Sequence, residues 1–251
     1  GPWSIYIIIA TLTAVFTVDG YTGIEKGVKL IGDVNMWVFV GVWFFVLIFG
    51  PTIFLINSTT NAMGQYLLYF LPMSLYTAPG VEGNWIGSWT VFYWAWWMSW
   101  APFVAVFIAR ISKGRSIRQT VAATLLLPTV GDFLWYGVIG GTGIKFDVTG
   151  TLQEHGVESA IFAIAQNLPM TGVVSIFLFF LITTFFLTSA NSAAMSLAMF
   201  VSGHETPSRN LRAFWGIALG SVAAVLAGAG SLKAIQTASI AAAFPMMFLL
   251  L

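Results

Sequence analysis

Seven stretches of this chain, at about 3–18, 36–57, 88–110, 117–140, 172–200, 211–230 and 234–251, are predominantly apolar. A helix needs roughly 20 such residues to cross a bilayer, and this repetition leaves little choice of fold. The expectation is an all-α polytopic membrane protein. Composition agrees: charged residues make up 8% of the chain and mean hydropathy is +0.88, against about 25% charged in soluble domains. A net charge of +1 gives no reason to expect a nucleic-acid partner. The absence of cysteine excludes disulfides, thiolate metal sites and cysteine nucleophiles.

The chain opens on Gly1-Pro2-Trp3 and stops at Leu251 inside an apolar run, as expected of a fragment of a longer membrane protein. A further apolar stretch, 61–77, is short, uncharged and carries Pro72. It is expected to lie along the outer membrane face, not across the bilayer. Charge placement supports that division. Lys26, Lys29, Arg110, Lys113, Arg115, Arg118, Arg209 and Arg212 flank the loops after the first, third and fifth spans. Only Lys145 and Lys233 fall on the other side. Eight against two is a positive-inside bias, so the loops after the first, third and fifth spans are expected to be cytoplasmic. Counting 61–77 as a span would reduce the split to six against four.

The third span holds five of the eleven tryptophans within twelve residues, from Trp89 to Trp100. On a helix Trp96, Trp100 and Phe103 share a face, with Trp97 one step round. Interface belts are the usual place for membrane tryptophans. Depth argues against a belt here. Trp97 lies about 12 Å and Trp100 about 16 Å along the helix from Trp89, and the bilayer midplane is about 15 Å down. A central aromatic cluster can hold a quaternary ammonium, a cation with no N–H to donate, by cation–π attraction.

In the fifth span the run Phe185-Phe186-Leu187-Thr188-Ser189-Ala190-Asn191-Ser192 is polar well inside the apolar stretch. Its hydroxyls suit a hard cation such as sodium, although Ser and Thr in membrane helices more often bond back to their own backbone or to a neighbouring helix. Asp132 lies within the fourth span. An acid there faces a pathway, relays a proton, pairs with a cationic substrate or supports another helix, and spacing alone leaves these alternatives open. Gly216, Gly220, Ala224 and Gly228 form a small-residue stripe suited to close helix packing. Pro102 interrupts the third span's hydrogen bonding. His155 and His204 have no metal-ligand spacing, and no hydrolase, zincin or phosphate-loop motif occurs, so an enzyme is not expected.

The Trp-rich stretch, followed by Ala109-Arg110-Ile111-Ser112-Lys113-Gly114-Arg115-Ser116-Ile117-Arg118, resembles the betaine/carnitine/choline transporter family. Gly23-Ile24-Glu25-Lys26-Gly27 with Asn35-Met36, Gly50-Pro51-Thr52 with Asn57, Gly140-Gly141-Thr142 and Thr188-Ser189-Ala190 extend the resemblance in family order. It covers essentially the whole chain, and the Trp stretch with its basic loop is the specific part. The resemblance implies a LeuT-type core of two inverted five-helix repeats with substrate near the midplane. Residues 1–57 would be the last two helices of the first repeat, 58–87 the outer-face helix and linker, and 88–251 a truncated second repeat.

The resemblance also assigns roles. Trp96, Trp97 and Trp100 match the family's substrate-pathway tryptophans, and Phe92, Trp94 and Phe103 match further pathway aromatics. Phe185, through its backbone, with Thr188 and Ser189 matches a sodium site of the sodium-coupled members. One departure is Asn191, where many members resemble Thr-Ser-Ala-Asp-Ser. The implied function is import of a trimethylammonium osmolyte such as glycine betaine across the cell membrane. Sodium is the implied coupling ion, no further cofactor is implied, and many members form homotrimers. The alternatives are a sodium-independent exchanger, a proton-coupled choline or carnitine carrier, and a membrane-embedded sensor.

Overall fold

A computed structural model describes residues 3–22, 25–228 and 232–250. The Gly23-Ile24 part of the connector motif and the chain ends lie outside them, as do the side chains of Lys26, Lys29 and Lys233. Among the described residues all regular structure is helical. Among the described residues six helices are long and apolar enough to cross a membrane, as in a polytopic membrane protein.

In chain order the helices are α1 (Ser4–Thr22), α2 (Glu25–Phe49), α3 (Thr52–Ser74), α4 (Phe92–Ile111), α5 (Ile117–Trp135), α6 (Gly141–Lys145), α7 (Thr149–His155), α8 (Ala160–Gln166), α9 (Thr171–Ser202), α10 (Arg209–Gly228) and α11 (Leu232–Leu250). A wide π turn, Gly87–Val91, leads into α4, and another, Tyr136–Gly140, joins α5 to α6. The stretch expected as one span over 36–57 is two helices. Pro51 has no N–H to continue the ladder and Gly50 ends α2, donating its own N–H to the Val46 carbonyl at 2.9 Å. Residues 52–57 therefore open α3, which also takes in most of 61–77 and is not among the six candidate spans. The last expected span is helical as α11.

The chain forms two compact units. The first comprises Gly1–Val28, Thr77–Lys113 and Phe186–Leu251; the second comprises Lys29–Tyr76 and Gly114–Phe185. Within the first, α1 packs along α10 and α4 along α11. The small-residue stripe makes the α1–α10 approach possible. A Cβ at Gly216 would come within 2.6 Å of Thr17 Oγ1, one at Gly228 within 2.8 Å of the Tyr6 hydroxyl, and one at Gly220 would overlap Thr13. The expected packing role of that stripe is thus what the structure shows, with the spacing of an antiparallel pair.

The second unit is built round a core that includes Val46, Leu55, Val138, Ile164 and Leu178. The π turn after α5 departs from the i→i+4 ladder, and the Leu134 carbonyl next to it accepts from the Trp43 indole N–H at 2.8 Å. Trp135 stacks on Phe39 at 4.7 Å. Gly137 and Gly141 bring this segment against Thr59 and Leu55 of α3, where a Cβ would meet side chains at 2.6 and 2.9 Å. At the start of α5, Ser116 and Gln119 satisfy each other's backbone N–H groups in a capping box.

Candidate functional site

The aromatic residues of α4 follow the helical period, and their rings meet accordingly. Tyr93 is the hub. Its ring lies 5.3 Å from Phe92, 5.7 Å from Trp96, 6.1 Å from Trp97 and 6.1 Å from Trp89. Phe92 also meets Trp96 at 5.4 Å, and Trp94 meets Trp97 edge-on at 5.5 Å. Trp100 and Phe103 form a separate edge-to-face pair at 5.4 Å. No ring contact joins Trp100 to Trp96 or Trp97 among the described residues. The helix therefore carries one extended aromatic group and, a turn further along, a second pair.

Burial sorts these rings. Phe92 is 9% exposed and anchors the group within the first unit, whereas Trp97 is 58% and Trp94 57% exposed. Indole faces left open in the first two turns of α4 can meet a ligand cation, and centroid separations near 6 Å suit a trimethylammonium group touching more than one ring. Further along, Pro102 has no N–H to donate to the Met98 carbonyl, so the helical ladder is interrupted within the aromatic stretch. At the C-terminal end of α4, Arg110 Nη1 lies 4.0 Å from Met199 Sδ, which sets the foot of α4 beside the C-terminal part of α9.

On α9, Phe185, Thr188 and Ser189 stand at i, i+3 and i+4, so they occupy neighbouring positions on one helix surface. Thr188 is half-buried and Ser189 exposed. The Thr188 carbonyl accepts from the Ser192 hydroxyl at 2.9 Å, so Ser192 bonds back along its own helix. Hydroxyl and carbonyl oxygens of this kind are the donors a hard monovalent cation takes.

Two side-chain hydrogen bonds hold α9 to its neighbours, and Thr184, Asn35 and Asp19, which take part in them, were not singled out for a site by the sequence pattern. In the second unit Thr184 donates to Asn35 Oδ1 at 2.5 Å, with Asn35 only 1% exposed. In the first unit Asn191 Nδ2 donates to Asp19 Oδ2 at 2.6 Å. Asp19 lies just past the expected end of the first span at residue 18, yet α1 continues through it to Thr22. Asp132 sits on α5 with an exposed side chain, and among the described residues it has no hydrogen-bond or ion-pair partner. Among the described residues no group of His, Asp or Glu is placed to hold a metal ion.

Against this geometry, the model of the betaine/carnitine/choline family transporters matches residues 1–251. A probable glycine betaine transporter of Desulfitobacterium hafniense is 40% identical over all of this chain and 52% of its own length. The glycine betaine transporter OpuD of Bacillus subtilis is 37% identical over 98% of this chain and 49% of its own length. The ectoine/glycine betaine/proline transporter EctP of Corynebacterium glutamicum is 34% identical over 97% of this chain and 42% of its own length. The chain spans about half the length of the curated relatives it matches.

Proposed function

The chain belongs to the betaine/carnitine/choline transporter family, and on that premise we propose that it forms part of a secondary transporter importing a trimethylammonium osmolyte. Glycine betaine is the first choice of substrate. The aromatic group on α4 carries this reading: Trp96 and Trp97 lie 5.7 and 6.1 Å from one shared tyrosine ring, with the Trp97 indole largely open. A quaternary ammonium offers no hydrogen-bond donor, so a site for it needs π faces more than acceptors. Trp96, Trp97 and Trp100 hold the cationic head along its path, with Phe92, Trp94 and Phe103 completing the aromatic lining. Relatives named for ectoine and proline transport as well as glycine betaine support a compact zwitterionic solute as the wider substrate class.

Sodium is the coupling ion of this proposal, taken by the Phe185 carbonyl and the Thr188 and Ser189 hydroxyls. An ion bound there favours whichever arrangement of α9 and its partners provides all the oxygens together, and so shifts the conformational population that takes substrate. The core is of LeuT type, the setting is the plasma membrane, and the protein works as a transporter, not an enzyme, within a homotrimer.

The test is uptake of radiolabelled glycine betaine by proteoliposomes carrying the full-length transporter, with and without an inward sodium gradient. Sodium-stimulated uptake that is lost in the double variant Thr188→Ala, Ser189→Ala is the expected result. Uptake indifferent to sodium removes the coupling ion and leaves an exchanger or a proton-coupled carrier. No uptake of betaine, choline, carnitine or ectoine removes the transport reading.

A further inference from the structure

The contact between α1 and α9 in the first unit is more polar than helix packing requires. Asn191 donates from Nδ2 to Asp19 Oδ2 at 2.6 Å. A carboxylate only accepts, so the amide nitrogen must be the atom that faces it. The amide oxygen lies over the backbone of buried Gly20, where a Cβ would approach it to 3.2 Å. Asn191 is therefore bonded to α1 through its amide nitrogen and packed against it through its amide oxygen, and a side chain at position 20 would crowd it. On one flank Phe16 meets Phe186 edge-on at 6.4 Å, closing an apolar wall beside the pair.

Asp19 itself is half-buried in the last turn of α1. Among the described residues no lysine or arginine forms an ion pair with it; the two ion pairs found there are Lys113 with Glu205 and His155 with Glu154. An acid held in the last turn of an apolar helix by one amide, with no ion-pair partner among the described residues, is a functional candidate by default. Its position says what it can act on. Asn191 follows Thr188 by three residues, so the Asp19 contact lies on the Thr188 side of α9 about one turn along. Ser189, two residues before Asn191, points round the helix and feels that charge only through the field.

We propose that Asp19, held in place by Asn191, is the fixed negative charge that sets the sodium affinity of the Thr188–Ser189 site. It does not ligate the ion; it is a positioning residue acting through the field. This inference rests on the sodium reading of α9. The ligands of that site are neutral oxygens, so a bound sodium ion brings an uncompensated positive charge into a poorly polarisable setting. A carboxylate roughly 5 to 10 Å away, in surroundings of effective dielectric about 20, changes the affinity for a monovalent cation by about tenfold or more. The amide tether matters because the charge is effective only while α1 and α9 stay in contact. Sodium binding and the α1–α9 contact then reinforce each other.

The experiment measures the sodium concentration for half-maximal betaine uptake in proteoliposomes of the full-length transporter, each variant scaled to its own maximum. Sodium titration of the intrinsic fluorescence of the tryptophans supplies a readout without transport. Asp19→Asn removes the charge and keeps a side chain able to bond Asn191. It is expected to raise half-saturating sodium at least fivefold in both readouts. The exchange variant, Asp19→Asn with Asn191→Asp, returns one carboxylate to the same contact and is expected to bring the value back within about twofold of wild type. If Asp19→Asn does not fold, Asp19→Ser carries the same expectation. An unchanged half-saturation in the neutral variant overturns the proposal and leaves the sodium site standing. So does an exchange variant as weak as the neutral one, since charge is then not the cause. Wild-type uptake and fluorescence that both ignore sodium overturn the sodium reading and this inference together.

Discussion

Tyr93 sits at the centre of the aromatic group on α4, yet a search for tryptophan passes over it. Its spacing to Trp96 and Trp97 is i+3 and i+4, the same rule that groups the tryptophans, so its place is legible in the sequence once every ring is weighted alike. Its ring stacks on Trp89 and lies tilted against Trp96 and Trp97. Trp97 is the most open of its three tryptophan neighbours, and it should bear the largest share of cation–π attraction, about 0.5 to 2 kcal/mol per ring depending on desolvation. Trp97→Leu is expected to reduce betaine uptake at least tenfold with normal membrane insertion, whereas Tyr93→Phe, which keeps the ring, should stay within about threefold. Uptake assays alongside a surface-expression control decide it; wild-type uptake by Trp97→Leu would remove the ring from the substrate path.

Helix pairs are held here by two different devices. Between α1 and α10 the device is absence of side chain: Gly216 and Gly220 let Thr17 and Thr13 reach the α10 backbone. Gly220→Ala is expected to destabilise the protein by about 1 to 3 kcal/mol through overpacking. Thr13→Ala in the same chain should recover part of that loss, because it removes the Oγ1 and Cγ2 atoms that the new methyl meets. Thermal unfolding in detergent measures both, and equal losses in the single and double variants would show that the clash lies elsewhere. Between α9 and its neighbours the device is a pair of side-chain hydrogen bonds, Thr184 to Asn35 and Asn191 to Asp19. The first device is legible from spacing of four along one helix. The second is not, because its partners are separated by 149 and 172 residues and no periodicity links them. Boundaries are lost for a related reason. Apolar content does not stop at Gly50-Pro51, so hydropathy merges the end of α2 with the start of α3, and only the backbone chemistry of proline separates them.

At the scale of the whole molecule, the Trp-rich stretch, the hydroxyl pair and the basic loop can each be placed from sequence alone, since each is local to one element or its edge. Sequence does not say how residues distant in the chain meet, and function in a carrier depends on that. A carrier and a sensor share the same parts: an aromatic surface for the ligand, oxygens for an ion, and polar ties between helices. They differ in whether the site opens alternately to the two sides. Interruptions in the helical ladder favour a moving molecule. The π turns Gly87–Val91 and Tyr136–Gly140 adjoin α4 and α5, and Pro102 falls within α4. Such breaks are tolerated at membrane depth where neighbouring groups or water satisfy the freed backbone, as along a pathway. Counterflow separates the two. Proteoliposomes loaded with unlabelled glycine betaine and diluted into a trace of labelled betaine, with equal sodium on both sides, should accumulate label transiently, because an alternating site exchanges one molecule for another without net driving force. A sensor binds label only to its own stoichiometry and shows no transient. Betaine binding without counterflow would therefore assign this chain to reception, not transport, while leaving the aromatic site on α4 intact.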